Sequence, residues 1–149
     1  MSRWITLTPD HLKAAGHGAI IDRARTAAVG GIDPVAQTIV KVTARVRRAV
    51  APGNVLDADD AKIPGSLEDA AVILAIATLA GRIPIPLTND MADQVRDARK
   101  ELQTIAENKV KVEVADTPES VESFGETGMK ITAVNVTPRL TGRERTSGL

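Results

Sequence analysis

The longest apolar run in this chain is Ala70–Ala80, eleven residues broken only by Thr78. It falls far short of the about 20 residues a bilayer-crossing helix needs, and it is too uniformly apolar for a helix that wets one whole face. Such a segment reads as a helix buried nearly all round, which requires other helices to enclose it. Two segments have the pattern to do so. Val35, Ile39, Val42, Val46 and Ala49 recur at spacings of 4, 3, 4 and 3, as do Met91, Val95, Ala98, Leu102 and Ile105. That is the period of a helix with one core-facing stripe.

Local punctuation places the ends. Thr8-Pro9-Asp10 has a cap residue, a proline suited to the first helical position and an acid at the positive end of the helix dipole. The segment from Pro9 to about Ala28 is interrupted by Gly16 and Gly18, each weakening a helix by about 1 kcal/mol relative to Ala. Two short helices or one kinked helix are expected there. Asp33-Pro34 opens the next helix, and Ala51-Pro52-Gly53-Asn54 stops it. Residues 53–65 read as a loop holding Asp57, Asp59 and Asp60. Ser66 with Asp69 resembles a capping box in front of the apolar run. Ile83-Pro84-Ile85-Pro86-Leu87 runs extended because of its two prolines, and Thr88 or Asn89 caps the last long helix, to about Asn108. Lys109–Val114 then alternates strictly, the signature of a short strand.

The expected fold is mainly α: a small bundle of about four helices with a short β element and an extended C-terminal tail. Residues 1–114 form the helical domain and residues 115–149 the tail, read as an assembly arm.

Composition narrows the function. The 149 residues suit one domain, and 19 Lys and Arg balance 19 Asp and Glu, so no whole-body field draws the chain to DNA or to an anionic membrane. With no Cys, disulfides, thiolate metal sites and a cysteine nucleophile are excluded, and the composition fits a reducing cytosol. Trp4 and Phe124 are the sole aromatics, too few for a stacking platform. The first ten residues lack the apolar stretch of a signal peptide. His11 and His17 are six apart, off the i, i+4 spacing of a helical metal site, and read as solvent-exposed. The acidic loop lacks the central Gly and terminal Glu of a calcium loop and reads as solvated. Gly16-His17-Gly18 and Gly30-Gly31 match no phosphate-binding pattern, and no nucleophile elbow or Ser/His/Asp arrangement stands out. The expectation is a chain that is not an enzyme and holds no metal or cofactor. Arg45, Arg47 and Arg48, with Arg23 and Arg25, read either as a solvated face paired with acids such as Asp22 and Asp33 or as phosphate contacts.

Beyond Ala115 the chain is rich in Thr, Ser, Gly, Glu and Pro, with a second alternating piece near Met129–Val136. From Thr127 to Leu149, Lys130, Arg139, Arg143 and Arg145 face a single acid, Glu144, so this end is +3 and the rest of the chain −3. Its apolar positions, Met129, Ile131, Val134, Val136 and Leu140, are too few to hold one conformation unaided. Strand addition or wrapping on a neighbouring subunit is the expected way to fix them. Lys130, Ile131, Val134, Val136, Arg139, Leu140, Arg143 and Arg145 are the candidate partner-binding residues.

Taken in order, Ile5-Thr6-Leu7-Thr8 with Asp10 and Leu12, the Asp33-Pro34 helix ending in Arg45-Val46-Arg47, Ile63-Pro64-Gly65-Ser66-Leu67, Gly81-Arg82-Ile83-Pro84 and Ala106-Glu107-Asn108-Lys109-Val110 resemble the small head–tail connector (adaptor, or head-completion) proteins of tailed bacteriophages, Mu-like prophages in particular. The resemblance covers roughly residues 3–113, and the basic ending Pro138–Leu149 is similar to the tails of such proteins. It implies a structural virion protein, made in the bacterial host cytoplasm and located at the head–tail interface. There it would form a homo-oligomeric ring, dodecameric, under the portal protein, meet a tail-side connector or tail-completion protein, and line a channel through which phage DNA passes without sequence-specific binding. Residues 130–149 would engage the portal, as a region. Arg45, Arg47 and Arg48 are candidates for facing the channel. The competing reading is a small helical DNA-binding regulator that uses the same arginines.

Overall fold

Caps and prolines start the helices at Pro9, Pro34 and Asn89 where the sequence places them. In the computed structural model, which describes residues 3–83 and 85–118, the elements run β1 (Trp4–Thr6), α1 (Pro9–Leu12), α2 (Gly18–Thr26), α3 (Pro34–Val50), β2 (Lys62–Pro64), α4 (Glu68–Arg82) and α5 (Asn89–Ala106). The Asp33 carboxylate accepts the Val35 amide at 2.9 Å and the Thr88 hydroxyl accepts the Met91 amide at 3.4 Å, each satisfying a donor the helix leaves open. Between α1 and α2, Lys13–His17 form a wide π-type turn bent at Gly16, whose φ is +85°. An L side chain is strained there, so the glycine that weakens the helix is also what lets it turn. α5 closes at Asn108 (φ 62°), with Asn108 N–H donating to the Ile105 carbonyl at 2.8 Å and Lys109 N–H to that of Thr104 at 3.1 Å, a Schellman ending.

α4 sits at the centre, packed against α2, α3 and α5. Leu74, Ala75, Ile76 and Leu79 are buried, and of its other residues between Ala70 and Ala80 Thr78 alone is exposed. Val35, Ile39, Val42 and Val46 of α3 and Val95, Ala98, Leu102 and Ile105 of α5 line the same core. Each large apolar side chain contributes about 1.5–3 kcal/mol of burial, set against about 1–2 kcal/mol of backbone entropy for every residue ordered. Among the described residues no helix is long and apolar enough to cross a membrane.

The β element is not where alternation puts it. Lys109–Val114 forms no strand. The sheet instead joins β1 and β2 antiparallel, with Trp4 opposite Pro64, Ile5 opposite Ile63 and Thr6 opposite Lys62. Ser66 does not cap α4 either. Gly65–Leu67 make a 3₁₀ turn ahead of that helix, whose cap residue is Leu67, and the Ser66 amide and hydroxyl donate to the Glu113 carboxylate at 2.9 and 2.7 Å. The partner-binding candidates Lys130, Ile131, Val134, Val136, Arg139, Leu140, Arg143 and Arg145 lie outside the described residues.

Candidate docking groove and basic face

Three strips of chain meet beside the two-stranded sheet: the turn from β1 into α1, the outer face of α3, and the loop at Asp60 and Ala61. They enclose a mainly apolar groove of about 770 Å³, floored by Ile39 and Thr43 and walled by Leu7, Pro9, Val40 and Ala61. Val40 is 68 % exposed there, although it sits in the middle of α3. Large apolar side chains are also exposed at Val29 and Ile32 on the α2–α3 connection.

One end of the groove is held by Arg47. Its guanidinium donates to the carbonyls of Asp59 and Lys62 at 2.9 Å, to that of Asp57 at 2.8 Å and to the Asp60 carboxylate at 3.1 Å. It also lies 5.9 Å from the centre of the Trp4 ring. The residue is 8 % exposed, which corrects the sequence expectation: Arg47 braces the 57–62 loop and is not available to face a channel. The loop's backbone curls around a planar cation that presents its donors as a rigid fork.

Asp57 is corrected as well. The sequence reads it as solvated, whereas its side chain is fully buried and accepts the Thr117 and Asp59 amides, both at 3.0 Å. These two bonds hold its carboxyl below the ordinary 3.8, against the opposing effect of burial. Thr117 in turn accepts the Ala58 amide at 2.7 Å. Asp116 takes the Trp4 amide at 3.0 Å and the Arg3 amide at 2.9 Å, and the Trp4 indole donates to the Glu113 carbonyl at 3.1 Å. Residues 108–118 thus strap β1 and the 57–66 region together through carboxylates. No ladder is needed, and an alternating pattern does not distinguish the two arrangements. The strap ends at Pro118, bridged to Asp57, three residues from the groove wall at Asp60.

Arg45 and Arg48 are exposed, with Lys41 one turn before Arg45 on α3 and Arg99 across on α5. Arg45, Arg99 and Gln103 line a smaller hollow of about 320 Å³. Among the described residues none of Lys41, Arg45, Arg48 and Arg99 forms an ion pair. Of the pairings the sequence suggests, that of Arg25 with Asp33 is made, at 3.1 Å, and this guanidinium, together with the Val35 amide, lowers the Asp33 pKa.

No family model, no curated protein and no solved structure matches this chain. The histidines are half-buried, not exposed. His11 Nδ1 accepts the Thr8 amide at 3.1 Å, standing where a capping box has Glu or Gln, and its Nε2 lies 3.8 Å from the Glu68 carboxylate. Among the described residues no three His, Asp or Glu side chains are grouped to hold a metal ion. What the sequence misses is the groove, because its lining comes from three separated segments and Val40 looks like one more residue of a helix.

Proposed function

We propose that this chain is an assembly protein, a head–tail connector of a tailed bacteriophage that forms a ring under the portal and links head to tail. The observation that carries the reading is an open apolar groove on a small helical body, in a chain with 31 further residues after Pro118 that include apolar and basic positions. A body that offers a recess and a chain end with apolar and basic residues is equipped to join copies of itself and other proteins. The order of caps, helices and loops that resembles the connector family supports the same reading. In a ring, weak tail contacts gain strength because neighbours hold each tail at high effective concentration.

The test is the mass of the full chain alone and mixed with the portal protein from the same genome. The proposal expects a closed ring or a portal-bound ring; a monomer that ignores the portal overturns it. A second reading, a DNA-binding regulator, is favoured by the unpaired Lys41, Arg45, Arg48 and Arg99. Four phosphate contacts would make duplex affinity fall about 100-fold between 50 and 200 mM salt. A gel shift at the two salts distinguishes this from a channel wall, which expects little binding at either.

A further inference from the structure

Two charged stripes of opposite sign run along the helices. On α3, which contains no acid, Lys41, Arg45 and Arg48 share one exposed face at spacings of four and three, and Arg99 of α5 lines the smaller hollow with Arg45. On α5, Asp90, Asp97 and Glu101 share another exposed face at spacings of seven and four. Among the described residues none of these seven side chains forms an ion pair. We infer that the basic face of α3 in one copy packs on the acidic face of α5 in the next, so that copies join head to tail through their own helices. This rests on the assembly reading above and gives that reading its subunit contact.

Placement on rigid helices requires the second copy. The α5 positions that reach α3 at the hollow, Arg99, Gln103 and Ala106, lie about 170° around the helix from Asp90, Asp97 and Glu101 at 3.6 residues per turn. The two stripes point away from each other, so one copy cannot neutralise its own. Neighbouring charges leave the contrast standing. Asp93 is held by Arg96 at 2.9 Å, and Glu107 by Lys109 and Gln103. Lys100, three residues beyond Asp97, borders the acidic face and reduces its charge without cancelling it. The spacings also match. Lys41 and Arg48 are seven residues apart, as are Asp90 and Asp97, so both pairs span about 10 Å of helix axis. The hollow of about 320 Å³ between Arg45 and Arg99 suits an incoming carboxylate, which two guanidiniums grip with charge-assisted bonds. A nucleic acid would match the basic face and leave the acidic one unmatched, whereas a second copy satisfies both. Exposed ion pairs are individually weak, so the stripes set partner and register more than affinity. The contact is heterologous, the kind that closes into a ring when its rotation allows, and closure multiplies its strength.

Charge reversal tests the contact. One full-length variant carries Lys41→Glu, Arg45→Glu and Arg48→Glu, another Asp97→Arg and Glu101→Arg; all five positions are exposed, and Trp4 fluorescence checks that each variant is folded. Glutamine at the same positions removes the charges without reversing them and is expected to act in the same direction. Sedimentation gives the mass of the parent, of each variant and of their equimolar mixture, at low and moderate salt, with and without the portal protein. The proposal expects the parent to associate, more weakly at the higher salt. Each reversed variant alone associates at least tenfold more weakly, because both of its faces then carry one sign, and the mixture recovers the parent's association by alternating the two. The contact is overturned if the parent stays monomeric across a tenfold range of concentration with and without portal. It is equally overturned if reversal leaves association at the parent's level, or if the mixture is no stronger than its separate components. Reversal of the α3 face that abolishes duplex binding and leaves association intact overturns it too, and gives that face to nucleic acid. Portal-bound rings that neither reversal weakens remove this contact and leave the connector reading; recovery on mixing without portal binding does the reverse.

Discussion

Replacing Arg47 by Met tests the bracing role assigned to it, because it keeps an unbranched stem of similar length and removes the guanidinium that donates to the loop and lies 5.9 Å from the centre of the Trp4 ring. The substitution removes three bonds to carbonyls and one to an exposed carboxylate. The Asp57 carbonyl contact is fully buried, and leaving it unsatisfied costs about 1–3 kcal/mol. The Asp59 and Lys62 carbonyls are half-buried and regain water, so each loses the net value of one bond, about 0.5–1.5 kcal/mol. The exposed Asp60 contact adds about 0–1 kcal/mol, and relief from burying a cation offsets part of the total. The expected loss is about 3 kcal/mol, a large share of the 5–15 kcal/mol typical of a domain. Urea unfolding followed by the fluorescence of Trp4, the single tryptophan, reads it directly. With a slope of roughly 1.5 kcal/mol/M the midpoint falls by about 2 M. Arg47→Lys keeps the charge without the planar fork and is expected to lose about half as much. A Met variant within 0.5 kcal/mol of the parent (the scale of an ordinary surface change) would refute the brace, as would a Lys variant no better than Met.

Three further outcomes follow from neighbouring features. The Thr38 hydroxyl is buried without a hydrogen-bond partner, so Thr38→Val should raise stability by about 1 kcal/mol in the same urea assay. Gly53 has φ +73° and a Cβ there would collide with the Asn108 side chain, so Gly53→Ala should destabilise by more than the about 1 kcal/mol set by backbone strain alone. Asp57 has a folded pKa below its unfolded 3.8. Its contribution is therefore complete above that value and lost as pH falls through the lower one, and Asp57→Asn should flatten the acid limb of a pH–stability curve below about pH 4.

Where periodicity extends over three or more turns, as in α3, α4 and α5, the chain could be read residue by residue, since burial repeats with the helix and the caps flank it. The pieces that escaped are short or non-local. Trp4–Thr6 and Lys62–Pro64 are three residues each, too brief for alternation to register, and they pair only because α1, α2 and α3 bring distant segments together. Lys109–Val114 alternates strongly yet contributes Glu113, whose carboxylate and carbonyl bind Ser66 and Trp4 in place of a ladder. Arg47 sits among exposed arginines, and nothing in its spacing shows that the 57–62 loop folds over it. The groove was the least legible part, because a hollow is a property of three segments at once and no residue type marks it.

The tie from Asp116 to the Arg3 and Trp4 amides spans 113 and 112 positions, almost the full length of the body. The Arg3 and Trp4 amides therefore gain this partner only once residues more than a hundred positions further along the chain have been made. Loop closure on this scale is slow and comes late in folding. Once made, it ties the first described strand to the strap at Asp116, so the described body should open as a single cooperative unit.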